Sequence, residues 1–245
     1  MSESHGHAAG ASAPEASRAI AVLGMHRSGT SMLVGTLQEA GLYLGGVLRN
    51  SITFNRKGLL EPKAVLFMQE DLLKASGGSW SDPPAAVEWQ NLHKAVRDLF
   101  IESRAGQPIW GFKDPRTLFT LEGWQDVLPN LELVGIFRHP LEVAMSMRQR
   151  NGFSLEQGLD IWKRYNERLL TIHGRRGFDL VEFVADPEVM RAKLALLVER
   201  LRLPQPVPAS GLSFFEEGIR QHEAEDTALP AEVEALYRQL QAIAL

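Results

Sequence analysis

A short stretch near the amino terminus, AVLGMHRSGTSML (residues 21–33), has the residue types and the spacing of an anion-binding loop. Gly24 and Gly29 bracket the loop, and Thr30 and Ser31 follow the second glycine. Glycines let a backbone wrap closely around an anion, and the amides that open the next helix point toward it. The pattern matches the phosphate-binding sequence G-x-x-x-x-G-K-[ST], except that Thr30 stands in place of the lysine.

The missing lysine changes the chemistry that the loop predicts. In nucleotide hydrolases that lysine bridges the terminal phosphates, and the hydroxyl after it holds magnesium. Here the loop's cation is Arg27, before the second glycine. We therefore predict a site for an anion rather than for a metal-bound triphosphate, and we expect His26 to contact phosphate rather than to act as a base. The predicted anion-binding residues of the loop are His26, Arg27, Ser28, Gly29, Thr30 and Ser31.

Apolar runs that alternate with longer helical patterns predict an α/β fold with an open parallel sheet. The runs predicted as strands cover residues 19–24, 109–112, 131–137 and 178–183. Helical periodicity covers residues 31–42, 62–76, 89–103, 140–150, 154–173 and 187–203, and the carboxyl-terminal segment 230–245 reads as a packing helix.

Charged or polar loops follow each predicted strand. MHRSGTS follows the first, KDPR the second, RHP the third and ADP the fourth. Ligands of open parallel sheets bind outside the carboxyl ends of the strands, so we expect these loops to converge on one site.

These motifs resemble those of sulfotransferases that use 3'-phosphoadenosine 5'-phosphosulfate (PAPS). GMHRSGTSML resembles the family's 5'-phosphosulfate loop, and FRHPLEVAMSM resembles its 3'-phosphate segment, with Arg138 and Ser146 at the matching positions. The segments WGFKDPRTLFTLEGW, NGFSLEQGLDIWKRYNERLL and VEFVADP resemble further parts of bacterial members. The likeness runs from about residue 19 to 243 and is weakest over 44–108, where acceptor specificity is expected.

The resemblance implies a three-layer αβα fold with a central parallel sheet, the P-loop NTPase-like sulfotransferase fold. It implies transfer of a sulfuryl group from PAPS, as co-substrate, to a hydroxyl or an amine, and it favours a carbohydrate acceptor while leaving a small-molecule acceptor open. No metal is expected.

The resemblance assigns catalytic roles to Arg27, Lys113 and Glu61. Lys113 matches a lysine that stabilises the transition state; an ion pair with Asp114 or Glu61 is the alternative role. Glu61 is either the general base or a glutamate that stabilises a helix amino terminus. His93 is the rival base, although its helical pattern favours a surface position.

Other positions keep two interpretations. Arg138 reads the 3'-phosphate or forms a structural salt bridge. Arg220 and His222 lie where the family closes the 3'-phosphate site, but the usual Arg-Lys-Gly sequence is absent. Trp80 and Trp89 line an acceptor cleft or, as the simpler expectation, pack in the core or in a lid.

Composition narrows the class of protein. The chain of 245 residues carries a net charge of -4, which disfavours nucleic acid as a partner, and it has no cysteine and no apolar run long enough for a membrane span. Residues 1–18 are predicted to be a disordered tail and 19–245 a single domain, with a cytoplasmic location expected. The oligomeric state is open.

Two other functions compete with sulfuryl transfer. A P-loop kinase or NTPase would share the sheet and the loop, but Thr30 replaces the lysine, and no Walker-B strand is evident. A non-catalytic nucleotide-binding homologue is the second alternative.

Overall fold

The computed structural model describes residues 17–48, 58–208 and 228–245. Its elements follow the order β1 (Arg18–Leu23), α1 (Thr30–Glu39), α2 (Lys63–Ala75), α3 (Asn91–Glu102), β2 (Ile109–Lys113), α4 (Thr117–Gln125), β3 (Glu132–Phe137), α5 (Pro140–Asn151), α6 (Leu155–Arg176), β4 (Asp179–Glu182), α7 (Pro187–Arg200) and α8 (Ala231–Ile243). The predicted tail falls almost entirely outside the described residues, as do Arg220 and His222.

The described strands form one parallel sheet in the order β2-β1-β3-β4. Helices cover both faces, so the predicted three-layer αβα arrangement is confirmed. Strand β1 shows why its sequence lacks polar alternation: Ala19, Ala21 and Leu23 pack into one core, while Ile20 and Val22 pack into the other. Strands buried on both faces need apolar residues at every position.

Local sequence signals set the ends of several helices. Ser154 and Gln157 form a complete capping box at the start of α6. Asp186 accepts hydrogen bonds from two backbone amides of α7, and Pro187 occupies the first turn of that helix. These are the start signals that the sequence predicts.

Helix α4 is absent from the sequence-based predictions. It contains Gly123, and its buried residues surround most of its circumference, so it has no amphipathic period. A helix that is buried on nearly all sides cannot be recognised from a 3.6-residue alternation.

The order of the strands places the site. From β1 the chain crosses to β2 on one side of the sheet and later returns to β3 on the other side. Such a reversal opens a crevice at the carboxyl ends of the strands, directly outside β1. The loop 24–31 lies at this point.

Candidate active site

The loop from Gly24 to Ser31 joins β1 to α1 and passes close to neighbouring strands. A Cβ atom at Gly24 would lie 2.4 Å from the backbone oxygen of Ile136 in β3. Gly29 has φ +89°, and a Cβ atom there would lie 2.7 Å from Phe183 Cδ2. Both positions therefore require glycine for steric reasons.

The first turn of α1 is available to an anion. Gly29 is its N-cap residue, no side chain caps the helix, and no acidic residue lies in the first turn. Helix-opening amides carry partial positive charge and need acceptors. Thr30 and Ser28 are buried in this loop, and the Ser28 hydroxyl has no hydrogen-bond partner within the described residues.

Arg27 links the loop to α5. Its backbone is left-handed, with φ 68°, which is uncommon for a residue with a side chain. Its Nε donates a hydrogen bond to Ser146 Oγ at 2.8 Å. The fold thus brings together two predicted site residues that are 119 positions apart in the chain.

Lys113 and Glu61 form a buried ion pair. Lys113 Nζ lies 2.9 Å from Glu61 Oε1 and donates to Ser31 Oγ at 3.3 Å. The two charged side chains are only 2% and 5% exposed. Of the two ion pairs weighed for Lys113, the one with Glu61 is present, and it lies against the loop. Glu61 itself precedes α2, with Pro62 between them.

Asp114 instead pairs with Arg116. Its carboxylate accepts from the Arg116 backbone amide at 2.8 Å and from Arg116 Nη1 at 3.1 and 3.2 Å. Burial, and then the nearby charge of Glu61, raises the pKa of Asp114 to about 6, against the opposing effects of Arg116, that hydrogen bond and Lys113. Arg116 Nε is buried and has no partner within the described residues.

His26 is an uncharged imidazole among cations. Burial, followed by the charges of Arg116, Lys113, Arg150 and Arg27, holds the pKa of His26 well below its usual value. Its ring lies 4.9 Å from that of Trp80, between centroids, and its Nε2 atom is buried without a hydrogen-bond partner in the described part of the chain. A neutral His26 can form a hydrogen bond to a ligand at this position.

Arg138 follows β3 and is buried. Its Nε lies 2.5 Å from Glu142 Oε2, so the salt bridge considered for it is present. Its guanidinium also lies over the ring of Phe183, at 4.7 Å, and Phe183 is the side chain against which Gly29 packs. Arg138 therefore lies beside the loop. Its Nη atoms make no hydrogen bond within residues 17–48, 58–208 and 228–245.

The burial of His93 differs from the sequence-based prediction. The helical pattern predicts a surface histidine, but His93 is 2% exposed, and its Nε2 lies 3.1 Å from Asp71. Because α3 packs against α2, the position of His93 faces the neighbouring helix rather than solvent. His93 does not line the cavity described next, and the structure does not bring it together with the predicted donor-site residues.

A cavity of about 200 Å³ opens beside the loop. It contains predicted site residues together with residues that the sequence did not single out. Its lining consists of His26, Arg27, Leu59, Glu61, Leu66, Trp80, Arg116, Met147, Arg150 and Asn151. Three larger grooves on the described surface contain none of the predicted donor-site or catalytic residues, although Trp89 lines one of them.

The cavity settles where the two tryptophans lie. Both pack against the core, and Trp80 also lines this cavity. Trp89 packs against Trp124 and under the Arg97 guanidinium, and it lines a separate groove. Arg150 was missed, although a signal existed: it lies four residues after Ser146 and so on the same face of α5.

The loop 24–31, at a sheet switch point and with basic side chains around it, defines a P-loop-like α/β fold. The model of the sulfotransferase family matches residues 19–184, about two-thirds of the chain. The chain belongs to the sulfotransferase family.

One solved structure supports this fold. The sulfotransferase domain of the Synechococcus PCC 7002 olefin synthase is 18% identical, with 92% of this chain and 95% of that chain covered and a TM-score of 0.54. Sulfotransferase STF1 from Mycobacterium tuberculosis H37Rv is 17% identical, with coverage of 92% and 77% and a TM-score of 0.40. A search of curated proteins finds no significant match.

Within the described residues, no helix combines the length and apolarity needed to cross a bilayer. The same residues contain no group of three or more histidine, aspartate or glutamate side chains placed to hold a metal ion.

Proposed function

We propose that this sulfotransferase moves a sulfuryl group from PAPS to an acceptor hydroxyl or amine. The bond from sulfur to the bridging oxygen of the donor's 5'-phosphate breaks, and a bond from sulfur to the acceptor atom forms. The acceptor's proton goes to a base on the protein, and 3'-phosphoadenosine 5'-phosphate (PAP) leaves with the negative charge on its phosphate.

The loop is the proposed site of the 5'-phosphosulfate. The backbone amides of Thr30 and Ser31 open α1 without a capping side chain, so they suit an anionic ligand. Arg27 and Lys113 supply positive charge where the leaving phosphate gains its own. We assign the 3'-phosphate to Arg138 and Ser146. While Arg138 Nε donates to Glu142, the two Nη atoms can still donate hydrogen bonds to a phosphate.

The observation that carries the proposal is the buried Lys113–Glu61 pair against Ser31. It places a carboxylate, a cation and the end of the anion-binding loop at one point, with Glu61 also lining the cavity. In this proposal Glu61 accepts the acceptor's proton as general base, while Lys113 stabilises charge on the sulfuryl group in transit. The acceptor occupies the cavity; a carbohydrate remains the preferred class.

The competing functions make different demands. A kinase requires magnesium and the loop lysine, and Thr30 occupies the position of that lysine. A non-catalytic homologue would bind the donor without turnover.

Thermal unfolding with PAP, with AMP, and with ATP plus magnesium tests the donor assignment. A ligand at about 100 times its dissociation constant adds roughly 2.7 kcal/mol to the free energy of unfolding. We expect PAP to stabilise the protein more than AMP, with or without a chelator. We also expect Arg138→Ala to reduce the advantage of PAP over AMP. Stabilisation by ATP with magnesium alone would contradict the proposal.

A further inference from the structure

The cavity beside the loop is built from several parts of the chain. His26 and Arg27 come from the loop itself, and Met147, Arg150 and Asn151 come from the carboxyl-terminal end of α5. The rest of the lining is Leu59, Glu61, Leu66, Trp80 and Arg116. The end of α5 lies one turn beyond Ser146, the residue that Arg27 contacts. The α5 side of the cavity is therefore free to serve the acceptor, while the loop serves the donor.

The cavity is rich in positive charge. Three arginines line it, Arg27, Arg116 and Arg150, against the single carboxylate of Glu61. That carboxylate is already paired with Lys113, and Arg116 is paired with Asp114. Neither carboxylate is therefore left to balance Arg150.

Arg150 has no ion-pair partner within residues 17–48, 58–208 and 228–245, although it is only partly exposed. The positive charge of Arg150 is one of the charges that lower the pKa of His26, so it helps to keep the imidazole neutral. A cation that lines a cavity and lacks an acid partner is available to an anionic ligand. Arginine suits this task because its planar fork matches the geometry of carboxylates and phosphates.

Two buried nitrogen atoms point to the same conclusion: Arg116 Nε is a donor, and His26 Nε2 is a donor in the tautomer that carries its proton there. Arg116 Nε and His26 Nε2 are inaccessible to solvent and have no hydrogen-bond partner in the described part of the chain. Arg116 is 93% buried, since its exposed fraction is 7%. A buried polar atom without a partner costs about 1–3 kcal/mol, and an oxyanion bound in the cavity offers acceptors for such donors.

The size and the walls of the cavity limit what enters it. Its volume of about 200 Å³ lies below the roughly 300–1,000 Å³ of pockets for drug-sized ligands. Trp80 supplies a flat apolar wall, on which a sugar or an aryl ring can stack. One ring with its substituents fits, and the rest of a larger acceptor lies outside.

We infer that the acceptor carries an anionic group, a carboxylate or a phosphate or sulfate ester, which binds to Arg150 while its ring lies against Trp80. This inference rests on the proposed sulfuryl transfer, and it adds the class of acceptor. Arg150 is then a specificity-determining residue and does not contribute to donor binding.

Calorimetric titration of the protein–PAP complex tests the inference with two matched series of probes. The first series compares glucose with glucuronate, glucose 6-phosphate and glucose 6-sulfate. The second compares 4-hydroxyphenylacetamide with 4-hydroxyphenylacetate. In at least one series we expect an anionic member to bind about tenfold more tightly than the neutral one, as a charge-assisted hydrogen bond allows. The member with the largest preference distinguishes carboxylate from phosphate and sulfate.

Variants of α5 assign the preference to one side chain. We expect Arg150→Ala to remove the preference and Arg150→Lys to retain part of it. Arg148→Ala is the matched control, because Arg148 lies on the same helix and is exposed outside the cavity. We expect it to keep the full preference.

Three results overturn the inference: no charge preference in either series, a preference unchanged in Arg150→Ala, or a loss of PAP affinity in that variant, which would assign Arg150 to the donor. Titration of PAP into the free protein tests the proposed function independently of the acceptor. Failure to bind PAP counts against the proposed function, whereas PAP binding without any charge preference counts only against the class of acceptor.

Discussion

At the scale of single residues, Glu61 is held by Lys113 in a buried ion pair, and it also lines the cavity beside the loop. Structural ion pairs and catalytic bases are thus compatible at this position, because the second carboxylate oxygen remains available for a proton. Only measurement of turnover separates the two roles.

Replacement of Glu61 by glutamine is expected to abolish most turnover while leaving PAP affinity within a few-fold of the wild-type value. General base catalysis contributes about 10²–10⁴-fold to a rate, so we expect a loss of that order in kcat. Transfer assays with PAPS and calorimetry with PAP measure the two quantities.

Because Glu61→Gln also leaves Lys113 buried without its counter-charge, the variant will lose stability. Glu61→Asp is the control: it keeps the charge and moves the carboxylate, so it should retain more stability than glutamine and still lose rate. A glutamine variant with full activity would remove Glu61 from the role of base.

His26 is expected to make stability depend on pH. Its pKa is depressed in the folded protein and near 6.5 in the unfolded chain, so below about pH 6.5 the unfolded state binds the extra proton. The free energy of unfolding contributed by His26 therefore decreases as the pH falls, by at most about 1.4 kcal/mol per pH unit.

The effect of Asp114 on the pH dependence of stability has the opposite sign. Its folded pKa of about 6 lies above its ordinary value of 3.8, so its contribution to stability decreases as the pH rises between those values. Urea unfolding of the wild-type protein and of His26→Gln, from about pH 5 to 8, isolates the histidine as the difference between the two curves. If the stability of the two proteins changed with pH in the same way, the pKa of His26 would not be depressed in the folded protein.

At the scale of elements, the junction of β1 and α1 depends on close backbone contact. Gly29→Ala would place a methyl group on a residue with φ +89° and against Phe183. Left-handed backbone alone costs a residue with a Cβ atom about 1–2 kcal/mol. We expect Gly29→Ala to lose more than that and to bind PAP less tightly, as measured by urea unfolding and calorimetry.

Gly106→Ala separates backbone strain from the contact with Phe183. Gly106 has φ +79°, and a Cβ atom there meets nothing within 4 Å. This control should show the backbone cost without any change in PAP affinity. Equal PAP affinity in both variants would mean that the conformation of Gly29 does not shape the anion site.

At the scale of the whole molecule, the cores on the two faces of the sheet share strands, since β1, β3 and β4 supply buried side chains to both. Helix α8 packs on α6, and the backbone amide of Leu245 donates to the Leu180 oxygen of β4 at 2.8 Å. We therefore propose that residues 19–245 unfold as one domain. Tryptophan fluorescence and far-ultraviolet circular dichroism should report the same midpoint in urea, and separate midpoints would indicate two units.

The sequence by itself determined the class of fold and the family. Strands buried on both faces leave uninterrupted apolar runs, and the glycines and basic residues of loop 24–31 leave a local pattern, so both can be read without a structure. Helix ends at Ser154 and Asp186 are equally local, because caps depend on residues two or three positions away.

Tertiary structure decided the partners of the site residues. The contacts of Lys113 with Glu61, and of Arg27 with Ser146, join residues that are 52 and 119 positions apart, and no local pattern specifies which acid a lysine meets. Burial of His93 likewise depends on the packing of α3 against α2. The cavity beside the loop, with Trp80 and Arg150 on its wall, forms where the loop, α5 and the segment before α2 meet. Long-range packing creates such a surface, so its charge could not be read from the order of residues.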